Sequence, residues 1–122
     1  MILADTSVWV DHFRCGNAEL RKQLAGGRIL MHPLVVAELA LGSLRDRTRT
    51  LAFLDLLPLA RVAQLSEVRQ MIEARRLYSQ GIGLTDAHLI ASIFLHPPTL
   101  LWTRDKRLRN VAEILRIRAT LP

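Results

Sequence analysis

Met1-Ile2-Leu3-Ala4-Asp5-Thr6-Ser7 opens the chain, and the helical-looking Val8-Trp9-Val10-Asp11-His12-Phe13 follows at once. An apolar run this short, with no amphipathic period, reads as a strand buried on both faces, as inside a parallel sheet. The strand runs into a carboxylate. In open α/β sheets, ligands bind outside the carboxyl ends of the strands, which makes Asp5 a candidate site residue. Asp before a helix is also a common side-chain cap, and Asp5 is open to that reading as well.

The pattern then alternates. Asn17 is placed to cap a helix through Glu19, Leu20 and Leu24 that stops at Gly26-Gly27, and Arg28-Ile29-Leu30-Met31 reads as a second strand. His32-Pro33 turns into an unusually apolar helix over 33–44, whose one formal charge is Glu38. A further helix spans 46–57 and is ended by Pro58; a poorly alternating third strand is expected over 59–65. Ser66-Glu67 opens an amphipathic helix through Val68, Met71, Ile72 and Leu77, with Arg69, Arg75 and Arg76 on its wetter side. After the Gly81-Ile82-Gly83-Leu84 loop, Thr85 is expected to cap a helix beginning at Asp86. Leu100-Leu101-Trp102-Thr103 is the clearest later strand, followed by a helix over 105–115 and an edge strand over 117–119. Strands and helices in alternation argue for an α/β fold with a mostly parallel sheet covered on both faces.

At 122 residues the chain fits one domain, 1–122, large enough for a core of its own. Half of it is hydrophobic and only 5% aromatic, so aliphatic packing of helices on a sheet is expected, and disorder is not. The net charge of +6 comes mostly from arginine, whose planar fork suits phosphate oxygens and points to nucleic acid as a partner. Ordinary solvated faces written in Arg give the same charge. Cys15 is the single cysteine, which rules out an intrachain disulfide and a thiolate zinc site and fits a reducing cytoplasm. No basic leader precedes Asp5, and the longest uncharged stretch, 87–103, is broken by His88, His96 and Pro97-Pro98, so neither a signal peptide nor a spanning helix is expected.

The acids carry the functional argument. Glu38 stands among apolar neighbours from Leu34 to Leu41, and burying an unpaired carboxylate costs several kcal/mol or more unless a cation or hydrogen bonds compensate. Asp86 sits in a first helical turn, where the helix dipole favours negative charge. With Thr85 available as the cap, Asp86 is free to point elsewhere. Asp105 repeats the arrangement of Asp5, after a strand and before a helix. If the two strands are neighbours, the acids converge on one crevice. Carboxylates gathered that closely repel one another unless a divalent cation sits among them, and Mg²⁺ and Mn²⁺ prefer oxygen ligands. Metal-assisted phosphodiester hydrolysis by an activated water fits such a group.

Asp5-Thr6-Ser7, Val36-Ala37-Glu38-Leu39, Thr85-Asp86-Ala87-His88-Leu89-Ile90-Ala91 and Leu101-Trp102-Thr103-Arg104-Asp105-Lys106-Arg107-Leu108 together resemble PIN-domain ribonucleases, and most closely VapC-type toxins of toxin–antitoxin pairs. The resemblance runs from end to end, with the motifs in the family's order. It implies a three-layer α/β/α sandwich and Mg²⁺- or Mn²⁺-dependent endoribonuclease activity on structured RNA, tRNA or rRNA. It also implies a cytoplasmic antitoxin whose tail covers the active site. Position by position, Asp5, Glu38 and Asp86 match the family's metal-binding acids, and Asp105 matches a fourth, more variable one. Thr6 and Thr103 match small polar residues that support the first and last acids.

Other residues carry less. His12, His32, His88 and His96 lack metal-ligand spacing, and Trp9 and Trp102 are expected in the core although they flank the crevice in sequence. Gly81-Ile82-Gly83 lacks the Lys and the spacing of a phosphate-cradling loop. Arg104, Lys106 and Arg107, with Arg109, Arg116 and Arg118, make the C-terminal part the most basic and are candidates to track an RNA backbone. Leu39, Leu41, Leu44, Leu51, Leu54 and Leu57 offer more apolar surface than two short helices readily hide, so an interface with a second copy or an antitoxin helix is expected there. The rival class is a receiver-type signalling module, which needs adjacent acids after its first strand, an Asp ending a middle strand and a late Lys. A catalytically inactive RNA- or protein-binding domain on the same fold is the third reading.

Overall fold

The computed structural model describes all of residues 1–122. Strand β1 (Ile2–Ala4) is central, with β2 (Ile29–Leu30) on one side and β3 (Leu100–Trp102) on the other, every pairing parallel. Ile2 and Leu3 pair with Ile29 and Leu30, and Ile2, Leu3 and Ala4 pair with Leu100, Leu101 and Trp102. Leu3 and Ala4 point to opposite faces of the sheet, yet neither has any exposed surface. Helices therefore cover both faces, which makes the three-layer arrangement expected of an all-parallel sheet. The seven helices are α1 (Thr6–Cys15), α2 (Ala18–Ala25), α3 (Pro33–Ala40), α4 (Arg47–Asp55), α5 (Leu65–Ala74), α6 (Leu84–Leu95) and α7 (Lys106–Ile114). None is long and apolar enough to cross a membrane.

One contiguous core joins Leu3, Val8, Trp9, Leu54, Leu89, Ile90, Trp102 and Leu108 across both layers. Trp9 and Trp102 are buried in it, as their apolar surroundings suggested. Gly16 ends α1 in the left-handed region at φ 74°, where a side chain is strained, and its N–H closes the helix on the His12 carbonyl at 2.8 Å. Asn17 caps α2 through Oδ1, which accepts from the Leu20 N–H at 2.9 Å.

Four expectations are corrected. The apolar helix ends at Ala40 and not at 44, because Arg47 reaches back to donate to the Ala40 and Gly42 carbonyls at 2.6 and 3.2 Å and holds the chain in a turn. The strand expected over 59–65 shrinks to one parallel bridge, Leu59 to Met31, with α5 already beginning at Leu65. The leucines expected to form one exposed patch divide: Leu39 and Leu54 are buried in the core, and Leu51 and Leu57 pack against it. Leu41 is 89% exposed, and the apolar surface is carried instead by Leu41, Phe53, Leu56, Leu59 and Val62. The edge strand over 117–119 survives as a single bridge from Arg118 to Leu101.

Candidate active site

The order of the sheet decides where the acids meet. Because β1 and β3 are neighbours, the residues just beyond them, Asp5 and Thr103, lie side by side, and the Asp5 N–H extends the ladder by donating to the Trp102 carbonyl at 3.0 Å. The Thr103 hydroxyl donates to Asp5 Oδ2 and accepts from the Asp105 N–H at 3.0 Å, so one side chain ties the first acid to the last. Asp5 Oδ1 accepts from the Val8 N–H at 3.2 Å and from the Ser7 hydroxyl. The Ser7 Oγ in turn accepts from the Arg104 N–H at 2.9 Å. Asp5 thus caps α1 and also stands where β1 ends beside β3, so the two readings of its sequence position are compatible.

Ser7 is a support that the sequence reading did not single out. Its signal was the Asp-Thr-Ser spacing itself, since a serine two residues beyond a capping aspartate can return its hydroxyl to the carboxylate. Thr6, which was singled out, turns the other way and donates to Glu38 Oε1 at 2.5 Å, joining α1 to α3. Glu38 is exposed at this end of α3, and not buried as its apolar neighbours suggested, because the helix rolls Val35 and Leu39 into the core instead.

The cap assigned to Thr85 is also corrected. Helix α6 starts two residues earlier, Gly83 is its cap position, and Asp86 Oδ2 reaches back to accept from the Gly83 N–H at 3.0 Å. Asp105 caps α7 by accepting from the Leu108 N–H at 2.9 Å through Oδ1.

The electrostatics join what the chain keeps apart. Burial pushes the Asp5 carboxyl above the usual carboxylate range; bonds from Ser7, Thr103 and Val8 oppose this, and the charge of Asp86 adds to it. Asp86 is also raised, first by burial and then by the charges of Asp105 and Glu38, against the opposing bond from Gly83. Asp86 is therefore the hub through which the four acids feel one another. No basic side chain offsets them: the two ion pairs in the protein are Arg104 with Asp11, at 3.7 Å, and Arg118 with Glu113. No three His, Cys, Asp or Glu side chains are arranged to grip one ion directly. The donors are hard oxygens with excess negative charge, a set that suits Mg²⁺ or Mn²⁺, and Mg²⁺ commonly takes only one or two carboxylates and fills its shell with water and substrate phosphate.

The basic residues next to the site are exposed at the start of α7. Arg104 donates to the Pro122 carbonyl at 3.3 Å besides its pairing with Asp11, which turns it along the surface of α1. Lys106 is exposed, and the Arg107 side chain lies against Gly81 in the loop before α6, on the Asp86 side. Arg109 is turned inward and donates to the Thr103 carbonyl at 3.4 Å.

Comparison with known proteins agrees with this geometry. The family model described as PIN domain matches residues 2–114. Two curated relatives, both named Ribonuclease VapC32, from Mycobacterium tuberculosis strains CDC 1551 / Oshkosh and ATCC 25618 / H37Rv, are each 44% identical over 109 residues, covering 89% of this chain and 88% of theirs. The chain belongs to the PIN-domain family, in its VapC branch.

Proposed function

We propose that this protein is a divalent-metal-dependent endoribonuclease, a single domain over 1–122 and the toxin half of a toxin–antitoxin pair. The observation that supports this best is Asp86 placed within electrostatic reach of three other carboxylates, Asp5, Glu38 and Asp105, with no basic partner among them. The relatives named as ribonucleases supply the reaction class.

Asp5, Glu38, Asp86 and Asp105 would hold the cation, Mg²⁺ or Mn²⁺, one or two of them directly and the others through its waters. When bound, it supplies a lowered pKa for a nearby water and charge stabilisation for the scissile phosphate. The chain's own residues do the positioning. Thr103 and Ser7 hold both oxygens of Asp5 in fixed directions, and Thr6 holds one oxygen of Glu38. The free oxygens of Glu38, Asp86 and Asp105 remain for the cation, its waters or a water about to attack. Arg104, Lys106 and Arg107 at the start of α7 take the RNA backbone. The substrate is structured RNA, tRNA or rRNA, in the cytoplasm. A cognate antitoxin and a second copy of the chain are the expected partners, and the exposed apolar surface around Leu41 and Leu56 gives them ground to bind.

Asp5→Asn and Asp86→Asn keep the shape and the capping oxygens, so each is expected to abolish RNA cleavage while circular dichroism and unfolding remain those of a folded protein. Undiminished wild-type cleavage in excess EDTA would overturn the metal dependence. Undiminished cleavage by both variants would overturn the site. A receiver-type module is disfavoured because no second acid adjoins Asp5 and neither β2 nor β3 ends in Asp.

A further inference from the structure

Between α1 and the turn that leads from α3 to α4 lies a groove of about 790 Å³, with Glu38 on its wall. The turn is held firmly. Arg47 bonds the last carbonyl of α3 and that of Gly42 in the turn, the Thr50 hydroxyl donates to the Arg45 carbonyl at 2.8 Å, and Asp46 adopts the left-handed region at φ 44° without capping α4 through its side chain. That shape brings Arg45 and Arg49 to one wall of the groove, with Arg14 among the α1 residues that line it. All three are exposed, and neither of the protein's two ion pairs includes any of them. Two carboxylates share the lining, Glu38 and Asp46. The Phe13 ring is 38% exposed in the same groove and is steadied from behind by the Trp9 and His12 rings, at 5.9 and 5.7 Å.

We infer that this groove carries the RNA strand onward from the acid cluster, with Arg14, Arg45 and Arg49 against backbone phosphates and the Phe13 ring against a base. The inference rests on the nuclease reading and extends it to a second stretch of substrate, on the side of the site away from α7. Unpaired guanidinium forks suit phosphate oxygens, and an aromatic face suits any base. Glu38 belongs both to the groove and to the acid cluster, so an occupant of one runs into the other. Val10 and Leu39 add an apolar part to the lining.

The test is the salt dependence of binding, measured on the full chain with Asp86→Asn added so that nothing is cleaved. A fluorescent single-stranded RNA oligonucleotide is titrated at several salt concentrations. For every phosphate of a single strand that an arginine no longer neutralises, the slope of log affinity against log salt falls by about 0.7, so Arg45→Gln with Arg49→Gln is expected to lower it by about 1.4. Arg14→Gln alone is expected to lower it by about 0.7, and Arg61→Gln, exposed and outside the groove, to leave it unchanged. An unchanged slope for all three groove arginines overturns the inference. So does a groove whose variants bind RNA normally and lose only a protein partner. The two readings fail separately: wild type that cleaves RNA with an insensitive slope sinks the groove alone, whereas a sensitive slope without any cleavage sinks the nuclease reading and keeps the groove.

Discussion

His32 has to remain neutral for α3 to begin where it does. Its ring has no exposed surface, Nδ1 accepts from the Leu34 N–H at 3.0 Å, and Nε2 has no partner. Burial first, and the charge of His88 second, lower its pKa from 6.5 to about 4. An imidazolium has no lone pair for the Leu34 amide, so protonation buries a charge and removes the cap of the helix that carries Glu38. The folded value lies below the unfolded one, so the stability His32 contributes is whole above the unfolded pKa and is lost as pH falls toward the folded one. The full gap between the two values is worth about 3 kcal/mol, of which about 2 kcal/mol is lost between pH 7 and pH 5. The assay is urea unfolding in chelator at both pH values, for wild type and His32→Asn, which keeps a capping oxygen but does not titrate. Asp5 and Asp86 have raised values and titrate with the opposite sign, but they do so in both proteins and cancel from the comparison. Wild type is expected to lose about 2 kcal/mol more than the variant over this interval. Parallel losses would refute a histidine held neutral by its burial.

The acid cluster lacks a counter-cation, so in chelator Asp86→Asn is expected to unfold at a higher temperature than wild type. Adding Mn²⁺ should then stabilise wild type, by about 2.7 kcal/mol at a hundred times its Kd, and the variant far less; an unmoved wild-type Tm would count against a cation at these acids. Ser7→Ala removes the hydroxyl between Asp5 and the Arg104 amide, and is expected to cost about 1–3 kcal/mol of stability by urea unfolding. The same variant should lower kcat for RNA more than it raises KM, because Asp5 loses its fixed direction while the RNA contacts remain; an unchanged kcat would remove Ser7 from the site.

Strands β1 and β3 were legible because each is a short apolar run closed by a carboxylate or a threonine, and β2 because its apolar run lies between a glycine pair and His32-Pro33. The convergence of Asp5 and Asp105 followed once β1 and β3 were taken as neighbours, and they are. What escaped the sequence was decided by contacts at a distance or by residues with no side chain to read. The apolar run through Leu41 and Leu44 continues a helical pattern, but Arg47 folds back on Ala40 and Gly42 and ends the helix first. Gly83 gives no chemical sign that it occupies a cap position, so Thr85 drew that role, and Asp86 was read as free when one of its oxygens serves the backbone. Glu38 looked buried by composition, but burial depends on which face of α3 meets the core. The pattern of that stretch is too uniformly apolar to choose a face.

On the proposed reading, a structural bond and a ligand need not compete for these acids. Asp86 gives Oδ2 to Gly83, Asp105 gives Oδ1 to Leu108, and Glu38 gives Oε1 to Thr6; the second oxygen of each accepts no hydrogen bond within the protein. Serine or asparagine would cap these helices about as well as aspartate and would add no repulsion. What a neutral cap does not provide is a second, charged oxygen whose direction is set by the bond that the first one makes. These bonds thus fix the rotamers, the N-termini of α6 and α7 partly offset the charges of Asp86 and Asp105, and the repulsion centred on Asp86 is left for a ligand to relieve. Each side chain thus combines one oxygen fixed by a hydrogen bond with one left charged, and the proposed cation site would need no additional scaffold.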